Sequence, residues 1–149
     1  MTVTTEAVLP VMSVDDLDVL RGSALAFAEE SNLPGGLDPD QWVSSWTRLI
    51  DAGQGFMLST ECGAAVAGIL HPDMNNGDLV CQEAFWFVPK GSRHGIGLDL
   101  FAAWEAEASR LGAVRLIMVH LAQLDAARLG KLYQRRGYRP LETSYIKAL

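Results

Sequence analysis

Apolar positions change their period along this chain, and each change predicts an element. Residues 7–12 form a short apolar run that reads as a first strand. From Ser13 the period becomes helical. Leu17, Leu20, Ala24 and Phe27 recur on one side, and Ser13 with Asp16 makes a capping-box-like start. Pro34-Gly35-Gly36 ends that pattern. Asp38-Pro39 then supplies an N-cap and an N1 proline for a second helix, lined by Trp42, Val43, Trp46, Leu49 and Ile50 and stopped at Gly53.

Residues 55–60 and 65–70 read as strands joined by a tight turn at Glu61-Cys62-Gly63. Residues 72–78, with Asn75-Asn76-Gly77, are a turn-rich link to a long strand over 79–88. An amphipathic helix follows over 95–111, with Leu98, Phe101, Trp104 and Ala108 on one side and Gly112 as its stop. Residues 114–121 carry so few polar side chains that they predict a strand buried on both faces. A helix over 125–136 ends at Gly137, and residues 138–148 read as a last strand region. Strand, crossover helix and strand from Phe85 through Val114 make a right-handed unit with parallel strands. The upstream strands, separated by short turns, must be antiparallel. The expectation is therefore an α/β (α+β) domain: a mixed, mostly antiparallel sheet with a central parallel pair, flanked by about four helices.

Composition narrows the class without choosing a function. At 149 residues the chain is expected to be a single domain, residues 1–149. A net charge of −6 and no basic block longer than Arg135-Arg136 do not indicate a nucleic-acid substrate; they favour a cationic small molecule or a basic peptide. No apolar run reaches the ~20 residues of a membrane span, so no membrane partner is expected. The first residues lack a basic leader and a long apolar core, which points to the cytoplasm. Cys62 and Cys81 match no metal spacing and no His–carboxylate pair does either, so no metal is expected.

The chemistry concentrates between Val80 and Leu98. Phe85-Trp86-Phe87-Val88 is a strand of β-branched and aromatic residues, and Pro89 ends it because it has no N–H for a ladder. The glycines from Gly91 to Gly97 can then wrap amides around an anion at the start of a helix. A nucleotide-triphosphate loop needs a Lys after the last glycine, and none follows Gly95 or Gly97. A dinucleotide loop needs a third glycine, which Gly95-Ile96-Gly97-Leu98-Asp99-Leu100 lacks.

The residues resemble a third device. Pro89, directly after Val88, with Gly95-x-Gly97 beginning six residues after the proline, resembles the P-x-x-[RQ]-x-x-G-x-[GA] part of the V-x-P-x-x-[RQ]-x-x-G-x-[GA] signature of the GNAT superfamily of acetyl-CoA-dependent N-acetyltransferases, with Phe87 at the signature's V position. Ser92 stands where that signature has Arg or Gln, with Arg93 one place later. Leu132-Tyr133-Gln134-Arg135-Arg136-Gly137-Tyr138 resembles the superfamily's L-Y-x-x-x-G-[FY] element, although the Asn often found shortly before it is missing. The compact tail, residues 138–149, is similar to that of small members carried by phages.

The resemblance implies that the parallel strands splay apart and admit the pantetheine arm of acetyl-CoA. Ser92, Arg93, His94, Gly95, Ile96, Gly97 and Leu98 would hold its diphosphate, and the backbone of Trp86, Phe87 and Val88 would pair with the arm as an added strand. The acceptor would be a small amine or a peptide amine. Trp42 and Trp46 would line its pocket, with His120 nearby. Tyr133 would protonate the departing thiolate, unless it is simply a core tyrosine. Glu83 is the candidate base because it interrupts an otherwise apolar strand, where a carboxylate costs free energy unless it has a partner or a task. The plain alternatives for Glu83 are a solvent-facing position or a salt bridge. The superfamily's seventh strand is short, absent or supplied by a second subunit, which leaves a homodimer open. The rival to catalysis is a non-catalytic acyl-CoA-binding or protein-interaction module on the same fold.

Overall fold

The computed structural model describes residues 8–10, 14–93, 95–121 and 125–149. They fall into two compact units, Met1–Val119 and His120–Leu149. In the first unit the strands are β1 (Leu9–Pro10), β2 (Gly55–Ser59), β3 (Ala65–Pro72), β4 (Leu79–Phe87) and β5 (Arg115–Ile117). They stand in sequence order; β1 to β4 are antiparallel to their neighbours and β4 pairs in parallel with β5. The expected mixed sheet with one parallel pair is the architecture found.

Helices cover both faces. α1 (Val14–Val19), α2 (Arg21–Ser31) and α3 (Pro39–Asp51) pack Leu17, Leu20, Ala24, Val43 and Trp46 against Met57, Ala65, Ala67, Phe85 and Phe87 of the sheet. α4 (Ile96–Arg110) supplies Leu100, Phe101, Trp104 and Ala108, all fully buried. Trp104 reaches the other face: a Cβ added at Gly68 would stand 2.8 Å from its Nε1, 2.7 Å from Cys81 Sγ and 2.8 Å from the Phe56 ring. That close approach is why β3 carries glycine there. Asp38 caps α3 as its sequence predicts, accepting from the amides of Asp40 at 2.9 Å and Gln41 at 3.1 Å.

Several expectations are corrected. The first helix is two helices meeting at Leu20, whose amide bonds to Leu17 O at 3.0 Å in a tighter turn. Gly22 weakens the helix just beyond the break, and both leucines still reach the same core. Five α-helices are therefore described rather than about four. The strand expected over 114–121 is only Arg115–Ile117, and it is half-buried or exposed. It is the outermost strand of the described sheet, so its apolar side chains are not sandwiched as an internal parallel strand's would be. The ends of the strand expected over 7–12, and Ser13 as a cap, lie outside the described residues.

The second unit holds α5 (Ala126–Arg135). Gly137 closes it at φ 89°, with the Tyr138 amide bonded back to Tyr133 O at 3.0 Å. The last strand, expected over 138–148, is not formed; residues 139–149 are exposed and belong to no helix or strand. Pro140 has no amide to donate, and although Leu141, Tyr145 and Leu149 share one face of a strand period, no strand lies beside them among the described residues.

Candidate functional site

β4 is fully paired on one side and half paired on the other. Toward β3 it is matched from Leu79 to Phe87; toward β5 only Val80, Cys81 and Gln82 have partners. From Glu83 onward its second edge carries no strand among the described residues. The same point holds a bulge. Glu83 stands opposite Gly68 and Phe85 opposite Ala67, so Ala84 is the extra residue. Trp104 Nε1 donates to Ala67 O at 3.2 Å, anchoring the partner strand where the ladder shifts.

Glu83 is the charged side chain of that edge, and both plain alternatives for it fail. It is 5% exposed, so it is not a solvent-facing residue. No described residue forms a hydrogen bond or ion pair with it. Burial alone pushes its pKa up from 4.5 to about 8, so the carboxyl is mostly protonated at neutral pH. Beyond Pro89 the chain makes a single 3-10 turn, Lys90–Ser92, in which the Ser92 amide is spent on Pro89 O at 2.9 Å. The Ser92 hydroxyl is left for other partners.

Gly95 precedes α4 at φ 95°, a conformation that favours glycine. No side chain caps the helix, and the Leu98 amide turns back to Gly95 O at 3.1 Å. Among the described residues, the amides of Ile96 and Gly97 have no recorded acceptor at the helix N-terminus, where the dipole favours an anion. A Cβ at Gly91 or Gly95 would meet nothing within 4 Å, and one at Gly97 would touch only Val88 and Trp86 at ordinary distances, the nearer 3.5 Å away. The loop therefore fits a diphosphate through its amides. His94 lies outside the described residues.

Arg93 is held elsewhere. Its Nε donates to Val88 O at 2.8 Å, and its Nη2 donates to both carboxylate oxygens of Glu30 at 2.8 Å. Glu30 also lines an open cleft of about 610 Å³ formed by Gly22, Ser23, Ala26, Glu29 and Glu30 of α2 with Phe87, Pro89 and Lys90. The cleft adjoins the end of β4 and the turn that follows it. Ser23 fixes the other end of this wall, donating to Gly63 O at 2.7 Å. No residue of α2 stood out in the sequence. Arg93 and Glu30 are 63 positions apart, and no local pattern links them.

The remaining candidates divide by location. Trp46 is buried in the core cluster and Trp42 packs against it, edge-on to Phe85 at 5.4 Å between ring centroids. Neither tryptophan lines the cleft, nor does Glu83. Trp86 stacks at a tilt on Phe101, while Phe87 and Val88 are buried. Ile96 is buried and Leu98 exposed. In the second unit, the buried Tyr133 ring is stacked on the exposed His120 at 6.4 Å and lies 6.0 Å from Tyr138. Among the described residues no cluster of His, Cys, Asp and Glu could hold a metal ion.

The chain matches no protein-family model and no curated protein. Solved structures match it over nearly its whole length. A GCN5-related N-acetyltransferase from Ralstonia eutropha JMP134 is 21% identical with a TM-score of 0.69, covering 96% of this chain and 97% of its own. A predicted acetyltransferase with acetyl-CoA from Clostridium acetobutylicum is 11% identical with a TM-score of 0.73, covering 95% and 96%. A ribosomal-protein-alanine N-acetyltransferase from Brucella melitensis biovar Abortus 2308 is 17% identical with a TM-score of 0.71, covering 96% and 99%. With the half-paired β4 and the glycine-led start of α4, these likenesses establish that the chain has the fold of the GNAT superfamily of acetyltransferases.

Proposed function

We propose that the chain is an acetyl-CoA-dependent N-acetyltransferase that moves an acetyl group directly to an amine within a ternary complex. The observation that carries this reading is that pairing with β5 stops at Gln82 while β4 continues to Phe87, so that no described strand lies beside this stretch of β4, which runs on to the glycine-led start of α4. The amides of Ile96 and Gly97 and the hydroxyl of Ser92 hold the diphosphate. The backbone of Trp86 to Val88 pairs with the pantetheine arm as a missing neighbour strand would. An amide of the same edge points at the thioester oxygen; losing one such donor typically costs about 3–4 kcal/mol.

The amine nitrogen forms a bond to the acetyl carbon while the carbon–sulfur bond breaks. Glu83 accepts the amine proton through water, since its carboxyl does not line the cleft. The cofactor's thiolate departs as the leaving group. With a pKa of about 8, Glu83 is half ionised at mildly alkaline pH, matched to taking a proton from an amine there.

Titration calorimetry with acetyl-CoA, followed by thiol release with a panel of amines, tests the reading. Glu83→Gln should lower turnover by about 10²–10⁴-fold, leave acetyl-CoA affinity unchanged and remove a rising limb of rate near pH 8. An unchanged rate would take Glu83 out of the reaction. Tight binding with no thiol release for any amine would make the chain an acyl-CoA-binding module, and no binding at all would end the cofactor reading.

A further inference from the structure

The Arg93–Glu30 pair joins two places that a transferase must coordinate. Arg93 belongs to the turn between β4 and α4, beside the amides that suit a diphosphate. Glu30 belongs to α2 and lines the cleft with Glu29, Ser23 and Lys90. Their link is made by one guanidinium nitrogen, Nη2, while Nε is anchored on Val88 O. Arg93 Nη1 bonds to no described residue. The pair is also wet, with side chains 43% and 26% exposed, so water screens it and it is weak. A diphosphate offers the same planar fork more charge and more acceptor oxygens than one carboxylate.

We propose that the Arg93–Glu30 pair is a latch opened by the donor: Arg93 exchanges the Glu30 carboxylate for the cofactor's phosphate, and the freed Glu30 receives an ammonium group of the acceptor in the cleft. This rests on the acetyl-CoA reading above. It makes Glu30 a specificity-determining residue and Arg93 a positioning residue. While Arg93 holds Glu30, the cleft's charges are nearly balanced, with Glu29 and Lys90 both lining it. Once Arg93 leaves, Glu29 and Glu30 together outweigh Lys90, and a dicationic amine is preferred to a monoamine. Donor and acceptor binding then reinforce each other, as linkage requires.

Calorimetric titration of the full chain with CoA tests the latch without relying on turnover. Glu30→Gln removes the competitor and should tighten CoA binding about threefold. Arg93→Ala should weaken it about tenfold, and adding Glu30→Gln to that variant should restore nothing. In the wild type, millimolar 1,4-diaminobutane should tighten CoA binding at least twofold, butylamine should do so less, and Glu30→Gln should lose the diamine effect. Thermal melts establish that each variant is folded. If the wild type binds CoA and Glu30→Gln binds it no better, or equally better without Arg93, the latch is wrong and the cofactor reading stands. A diamine with no effect overturns the acceptor half. A wild type that binds no CoA overturns both.

Discussion

Burying Glu83 with no partner among the described residues ties the stability of the fold to pH. Its folded pKa, about 8, lies above the ordinary 4.5, so between those values the native state holds a proton that the unfolded chain has lost. Its contribution is fully present below 4.5, declines as pH rises, and is gone above about 8. Glu83→Gln cannot ionise, so the melting temperature of the variant relative to the wild type should climb from pH 5 to pH 9. A constant difference across that range would mean that the carboxyl is not desolvated. At Gly68 the constraint is volume. Gly68→Ala puts a carbon within 2.8 Å of Cys81, Phe56 and Trp104 and should cost about 1–3 kcal/mol in urea unfolding, like other overpacked cores. Glu83 was legible in the sequence because a carboxylate interrupts an apolar strand. Glu30 was not, because an acidic residue near a helix end looks like any solvated side chain until the fold brings Arg93 beside it.

Among the elements, those with local signals were readable. Asp38-Pro39 starts α3, Gly95 starts α4 and Gly137 ends α5, each through a backbone need that one residue meets. The break at Leu20 was not, since two short helices sharing one core show the same apolar period as a single long one. β5 and the segment after Tyr138 misled for a related reason. An apolar run states that burial is available, and only the neighbouring strands decide whether it happens. The bulge in β4 is likewise a property of the pair β3–β4, and Trp104 supports it from a third element. Trp104→Phe leaves Ala67 O without its indole donor and opens a void, so it should destabilise by about 2–3 kcal/mol. Its acetyl-CoA affinity should fall as well if the bulge sets the course of the strand edge. A variant that loses stability but binds CoA normally would limit Trp104 to packing.

At the scale of the molecule, the fold class was legible because strand, loop and crossover helix occur in an order that few architectures satisfy. The acceptor was not. The cleft proposed for it is assembled from α2 and the end of β4, which are distant in sequence, and one ion pair, Arg93–Glu30, enters its charge balance. The net charge of −6 agrees with a cationic acceptor without locating it.

The strand that loses its neighbour halfway along has a kinetic signature as well. Beyond Gln82, amide protons aimed at β3 are locked in the ladder, whereas those aimed the other way face no strand among the described residues. Deuterium should therefore enter the 83–87 stretch in two populations, one fast and one slow. Adding acetyl-CoA should slow the fast population alone, because it would occupy the place of the absent neighbour. Uniformly slow uptake in the unliganded chain would mean that this edge is already closed.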